Sequence, residues 1–278
     1  MRWLTLDNAY QEAFDSLPHS THEEWFLQSF GTSDFLDIAL RSAGHEAKTL
    51  VRNFYSSMSH MMYDVREYDP DVILSREAGR FSGPELRRMF PDKKLICTCS
   101  HRVDDAVLPG FDVVFTSFPW FVEYCKSIGV RCEYLPLAFG RPVLDRLGPL
   151  PTERDIPVCF IGGLGSRIWD QGTRTMAAIA EALSYFTWMG YVAGSMSDLP
   201  VALQAAYRGN CWGIEMYRTL ACTKICLNRH GEIARGWANN CRTFEGPGVG
   251  CYLLSDCDGA FSCNVYSSSD DAIEKINR

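Results

Sequence analysis

The most constraining feature of this chain is an alternation that runs, breaks and then begins again. Short continuous apolar stretches, "RWLTL" at 2–6, "EAKTLV" at 46–51, "DVILS" at 71–75, "KLICTCS" at 94–100, "VVFTS" at 113–117 and "CEYLPL" at 132–137, read as strands. Between them lie segments of helical period, such as "DFLDIALRSAG" at 34–44 and "SGPELRRMF" at 82–90. Ser82 is placed to cap the second of these, with Pro84 and Glu85 in its first turn. Strands that are apolar throughout, rather than at every second residue, are buried on both faces. That is the condition of a parallel sheet covered by crossover helices.

The pattern fails over 138–157, where "AFGRPVLDRLGPLPTERDIP" holds four Pro and two Gly and shows no period. It restarts with the strand "PVCFIGG" at 157–163 and the strongest helix signal of the chain, "RTMAAIAEALSYF" at 174–186. The strands "TKICLNR" at 223–229 and "CYLLSD" at 251–256 follow, and a Ser/Asp-capped helix ends the sequence. The expectation is two α/β Rossmann-like domains, at 1–140 and 157–278, joined by a linker at 141–156.

Composition narrows the function classes. With 27 Lys and Arg against 34 Asp and Glu the chain carries a formal charge of -7, so general nucleic-acid binding is not expected. The opening residues have no signal-peptide core and no apolar run reaches membrane-spanning length, so the expectation is a soluble, cytoplasmic protein. Twelve cysteines are many, but no Cys-x-x-Cys and no ligand quartet occurs. Most are read as small buried hydrophobes, with no metal and no disulfide framework.

In an open parallel sheet, ligands bind beyond the carboxyl ends of the strands. Two segments after strands carry suitable chemistry. In "FIGGLGSR" at 160–167, Gly162 and Gly163 let backbone approach a ligand and Arg167 can meet an anion. The alternative is a surface turn with one charge. Over 224–256, a strand ends at Asn228 and is followed by Arg229 and His230, and a helix starting near Cys241 would place Arg242 and Glu245 on one face. That pair could supply a cation for phosphate and a carboxylate for two ribose hydroxyls, or be a local ion pair.

The stretches "MYRTLACTKICLN" at 216–228 and "RTFEGPGVGCYLLSD" at 242–256 resemble the donor-binding domain of GT-B glycosyltransferases, closest to the CgeB-like group with glycosyl-transferase group 1 character. The resemblance covers the second half and reaches the first only in style, through "LRSAGHEAKTL" at 40–50. It implies a GT-B fold of two Rossmann-like α/β/α domains facing a cleft, with the first domain binding acceptor and the second binding a nucleotide-sugar. By that resemblance Glu245 holds the donor ribose, with Thr243 beside it, and Arg242 lies near the same pocket. Lys224, Asn228 and His230 line the strand end, and Gly250 turns the chain beside the donor. Gly162 and Gly163 form the turn at the diphosphate, and Arg167 follows it. Many group 1 enzymes carry a second glutamate eight residues earlier; Trp237 stands there.

The implied reaction is metal-independent transfer from a nucleoside-diphosphate sugar, UDP-sugar before GDP-sugar, to an acceptor hydroxyl. Arg167, Lys224 and Arg242 are the candidates for stabilising the leaving phosphate. An inverting reaction also needs a base, and His101 is preferred over Asp104, Glu77 and Asp7. The competing readings are a non-catalytic nucleotide-sugar or glycan-binding module, and a GT-B-shaped enzyme acting on another activated or phosphorylated substrate. The segment 118–125 reads as an amphipathic helix packed on the sheet; as a peripheral membrane contact its charge suits anionic lipid poorly.

Overall fold

The computed structural model describes residues 1–17, 21, 24–25, 32–101, 103–165, 170–231, 234–258 and 264–278. The chain divides into two compact units, Met1–Pro136 and Leu137–Arg278.

In unit 1 the strands are β1 (Arg2–Asp7), β2 (Glu46–Val51), β3 (Val72–Ser75), β4 (Lys94–Thr98), β5 (Val113–Thr116) and β6 (Cys132–Tyr134). They form one sheet in the order β2-β1-β3-β4-β5-β6, and every pairing is parallel. All four residues of β3 are buried, which is why that stretch is apolar without alternation. The expected helices form at Thr32–Ser42, Gly83–Met89 and Pro119–Ser127. Ser82 does not cap its helix through a backbone N–H: its hydroxyl donates instead to Glu85 at 2.9 Å.

Unit 2 repeats the architecture with β7 (Ile156–Ile161), β8 (Leu164–Gly165), β9 (Phe186–Met189), β10 (Val192–Ala193), β11 (Thr223–Asn228), β12 (Tyr252–Ser255) and β13 (Asn264–Val265). Five of these make a parallel sheet in the order β13-β12-β11-β7-β9, while β8 and β10 pair separately. Its core joins Val158 and Phe160 of β7, Trp188 of β9 and Leu227 of β11 to Met176, Ile179 and Leu203 from covering helices. Leu227 is fully buried, and Leu227→Ala would cost about 2–5 kcal/mol.

Two expectations shift. The helix read over 174–186 runs instead over Asp170–Ala182, and Phe186 opens β9. Phe186 and Trp188 are the buried residues of that strand, so a place beside β7 outweighs their fit to the helical period. The Pro-rich stretch belongs to unit 2 and contains the helix Pro142–Leu147, which packs on the helix Gly213–Ala221. Arg154 from the same stretch donates to the carbonyls of Leu220, Ala221, Thr223 and Val249, joining two helix ends.

Candidate functional site

The sheet of unit 2 runs from β7 outward to β9, then returns to place β11 on the other side of β7. Its topological switch point therefore lies between the carboxyl ends of β7 and β11, where Leu227 is level with Phe160. Two neighbouring groups of side chains gather along this edge.

The first is built on the helix Arg242–Gly248, which does form at the expected place. Arg242 and Glu245 are one turn apart, with side chains only 12% and 16% exposed. Arg242 Nη1 stands 2.8 Å from Glu245 Oε2, close enough for an ion pair but off the line of a hydrogen bond. Arg242 Nη2 reaches the carbonyl of Ile161 at 3.4 Å and the sulfur of Met216 at 3.3 Å, which puts the guanidinium at the end of β7. Burial opposes its charge, yet Glu245, Cys226 and Tyr217 outweigh that and raise its pKa above the ordinary arginine value. Nε and Nη1 are buried without a hydrogen-bond acceptor among the described residues. A permanently charged fork with unfilled donors is suited to an anion's oxygens. Glu245 Oε1 accepts from the Tyr217 hydroxyl at 3.3 Å.

Beside this pair, the glycine turn after β7 is held from both sides. The N–H of Gly162 donates to Met189 O, and its carbonyl accepts from Trp188 Nε1, both at 3.0 Å. A Cβ on Gly162 would lie 2.8 Å from the Phe160 ring, so a side chain there would have to displace that ring. Gly163 leads from it into β8. Arg167 lies outside the described residues.

The second group spans the ends of β11 and β12. Asn228, 2% exposed, shares the two hydrogens of Nδ2 among the oxygens of Asn240, Thr243 and Ser255 at 3.1, 3.2 and 3.4 Å, and accepts from Asn240. Thr243 Oγ1 donates to Asn240 at 3.0 Å. His230 Nδ1 lies 2.7 Å from Asp256 Oδ1, the His230 N–H also donates to that carboxylate, and Nε2 accepts the Asn239 N–H at 3.2 Å. This arrangement assigns the ring proton to Nδ1. Asn228, His230 and Thr243 thus spend their polar atoms on pinning the loop that delivers Arg242. Among the described residues, His230, Asp256 and Cys257 are the group with ligand atoms within 4.8 Å of one another. Since His230 and Asp256 are bonded to each other, that donor set fits an internal brace better than a cation.

Other predicted residues lie elsewhere. Lys224 is exposed and four residues before Asn228, roughly 13 Å nearer the amino end of β11 at about 3.3 Å per residue. Gly250 precedes β12, at the same far edge, with φ +77° and Arg154 packed against it. The structure does not bring either to the switch point. In unit 1, His101 is exposed after β4. Asp104 accepts the Ala106 N–H at 2.9 Å, and Asp7 pairs with Arg76 at 3.2 Å. Glu77 is half-buried, its pKa raised chiefly by burial although His101 partly counters it. Tyr217, Asp256 and Asn240 were missed as participants; the first two lay inside recognised motifs, but nothing in a linear pattern shows which carboxylate or amide they meet.

Among the described cysteines, Cys97, Cys99, Cys125, Cys159, Cys211, Cys226 and Cys251 are buried free thiols, and Cys241 is exposed.

Solved structures share this architecture. Sucrose-phosphate synthase from Thermosynechococcus elongatus aligns over 100% of this chain and 89% of its own, with 11% identity and a TM-score of 0.58. The DNA-modifying β-glucosyltransferase, solved with and without its substrate uridine diphosphoglucose, aligns over 100% and 88%, with 11% identity and a TM-score of 0.58. Anabaena HepE in complex with UDP and glucose aligns over 100% and 89%, with 11% identity and a TM-score of 0.56. No curated protein sequence matches the chain. Two α/β/α units with parallel sheets, shared along the whole chain with these proteins, give it the GT-B glycosyltransferase fold. Residues 174–278, most of unit 2 and including Arg242, Glu245, Asn228 and His230, match the family model of glycosyl transferase-like proteins.

Proposed function

We propose that the protein is a metal-independent glycosyltransferase that moves a sugar from a UDP-sugar to an acceptor hydroxyl. The observation that carries this reading is Arg242: a buried guanidinium with unfilled donors, beside the Gly162 turn and one helical turn from Glu245. Arg242 would take oxygens of the diphosphate and stabilise the charge that grows on it as the sugar bond breaks. Glu245 would accept the ribose hydroxyls, and Gly162 and Gly163 would let backbone approach the phosphates. Arg167 is proposed as a second cation. Asn228, His230 and Thr243 serve by fixing the loop, and His101 is proposed as the acceptor's base. Uridine is favoured because HepE is found with UDP and β-glucosyltransferase uses uridine diphosphoglucose.

The same reading puts the protein in the cytoplasm. Among the described residues no helix is long and apolar enough to cross a membrane, and free buried thiols suit a reducing compartment.

Thermal shift and calorimetry against UDP, GDP, ADP, dTDP and UDP-glucose test the proposal. A ligand at a hundred times its Kd should add about 2.7 kcal/mol of stability. UDP and UDP-glucose should do so, and Arg242→Ala should abolish the effect. Absence of binding to any nucleoside diphosphate would sink the reading. Binding of UDP-glucose without turnover or hydrolysis across an acceptor panel would instead favour a nucleotide-sugar-binding module.

A further inference from the structure

We propose that Tyr217 is a positioning residue that holds the Glu245 carboxylate for a ribose diol; this rests on the donor-site reading above. Glu245 is gripped on both oxygens, Oε2 by Arg242 at 2.8 Å and Oε1 by the Tyr217 hydroxyl at 3.3 Å. The two grips differ in what they can give up. Arg242 is a cation with unfilled donors, open to competition from a phosphate, whereas the Tyr217 phenol has no comparable attraction to an anion's charge. Once phosphate draws on Arg242, Tyr217 is what keeps the carboxylate oriented.

Tyr217 is itself immobilised. It is 1% exposed and lies on the buried face of the helix Gly213–Ala221 with Gly213, Leu220 and Ala221. The ring of Phe139 meets it edge-on, with centroids 6.2 Å apart and planes at 68°. Phe139 also occupies the space at Gly248, where an added Cβ would lie 2.3 Å from the ring. Gly248 ends the helix on which Glu245 sits. One aromatic ring therefore braces both the phenol and the helix that carries its partner.

Burial first, and then the charge of Glu245, push the Tyr217 phenol far above its ordinary range, so it stays a donor at any working pH. A carboxylate oxygen has two acceptor positions. One bond from Tyr217 leaves the other three positions of the carboxylate for Arg242 and the two hydroxyls of a ribose.

The test uses the full chain, with calorimetric affinities for UDP and for 2′,3′-dideoxyuridine diphosphate, which lacks both ribose hydroxyls. Their ratio reads the diol contact alone. Wild type should prefer UDP, and Glu245→Gln should bring the ratio close to one. Tyr217→Phe, which keeps the ring against Phe139, should narrow the ratio about three- to tenfold, the worth of one such hydrogen bond. Its affinity for the dideoxy ligand should stay within about twofold. An unchanged ratio, or equal loss for both ligands, overturns the proposal and makes Tyr217 a packing residue. Should Tyr217→Phe fail to fold, Phe139→Leu must narrow the same ratio, and an unchanged ratio there overturns the proposal equally. A wild-type ratio of one, or no UDP binding by wild type, would overturn the donor reading and this inference with it. A normal wild-type ratio that Tyr217→Phe leaves untouched strikes this inference alone.

Discussion

Arg242 and Glu245 form a largely buried ion pair across one helical turn at the switch point of the second sheet, with Nη1 2.8 Å from Oε2. The pair is asymmetric. Glu245 has a second partner in Tyr217, whereas the Nε of Arg242 finds no acceptor among the described residues. Removing one member is therefore not equivalent to removing the other.

Glu245→Ala leaves a buried guanidinium without its counter-charge, held only through Nη2 by the Ile161 carbonyl and the Met216 sulfur, while Arg242→Ala leaves a carboxylate that still accepts from Tyr217. Breaking a buried pair costs about 3–5 kcal/mol when the remaining charge is uncompensated. The full cost is expected for Glu245→Ala and a smaller one for Arg242→Ala. Urea denaturation of the two variants checks the order, and equal midpoints would refute it.

Ligand binding should separate the two residues differently. Glu245→Ala is expected to weaken UDP by about 2 kcal/mol, the worth of a charged hydrogen-bond acceptor, or roughly 30-fold in Kd. Arg242→Ala should reduce turnover of UDP-glucose by on the order of 100-fold, the usual cost of a lost donor to a developing anion. Unchanged UDP affinity in the first variant would remove Glu245 from the ribose. In the second, a normal turnover number in protein that still melts cooperatively would remove Arg242 from the phosphate.

Gly250 and Gly129 make a controlled comparison. Both have a left-handed backbone, at φ +77° and +74°, but a Cβ on Gly129 meets nothing within 4 Å while one on Gly250 lies 2.8 Å from Arg154 Nη2. Gly129→Ala should lose only the backbone penalty of about 1–2 kcal/mol. Gly250→Ala should lose more, because Arg154 is tied to four carbonyls and cannot simply swing aside. Thermal melts of the two variants compare them directly, with equal shifts as the disproof.

Glu77 makes stability depend on pH. Burial raises its pKa above the ordinary 4.5, with Asp7 adding and His101, Arg76 and Arg80 countering. The folded chain then holds this proton more tightly than the unfolded one. That contribution is fully present below pH 4.5 and is lost as pH rises through the raised folded-state value. Glu77→Gln, always neutral, should match wild type near about pH 4 and be more stable at about pH 7.5. Urea midpoints across that range test it; a variant less stable than wild type at the upper end would reverse the assignment.

Much of the fold was legible from local pattern. Continuous apolar runs placed the strands of the first sheet and β7, β11 and β12 of the second, because burial on two faces leaves no room for alternation. The motif at 242–256 located the helix that carries Arg242 and Glu245, and the i, i+3 spacing put them on one face. Lys224 shows where that reading stopped. It stands four residues from Asn228 in sequence, and a strand turns that spacing into separation along the sheet, whereas a helix would have returned it to the same face. Phe186 shows the same limit at an element boundary, since its helical spacing was overruled by a place beside β7.

The sequence by itself determined the strand and helix alternation, its restart, and the helix face shared by Arg242 and Glu245, because each depends on periods of a few residues. Only the tertiary structure decided that Tyr217 would meet Glu245, that Asn228 and Thr243 would be spent on holding a loop, and that Gly250 would lie at the far edge from the switch point. Those outcomes depend on which strand neighbours which and on which end of each strand a residue falls. They are set by packing between segments tens of residues apart, where no local period carries the information.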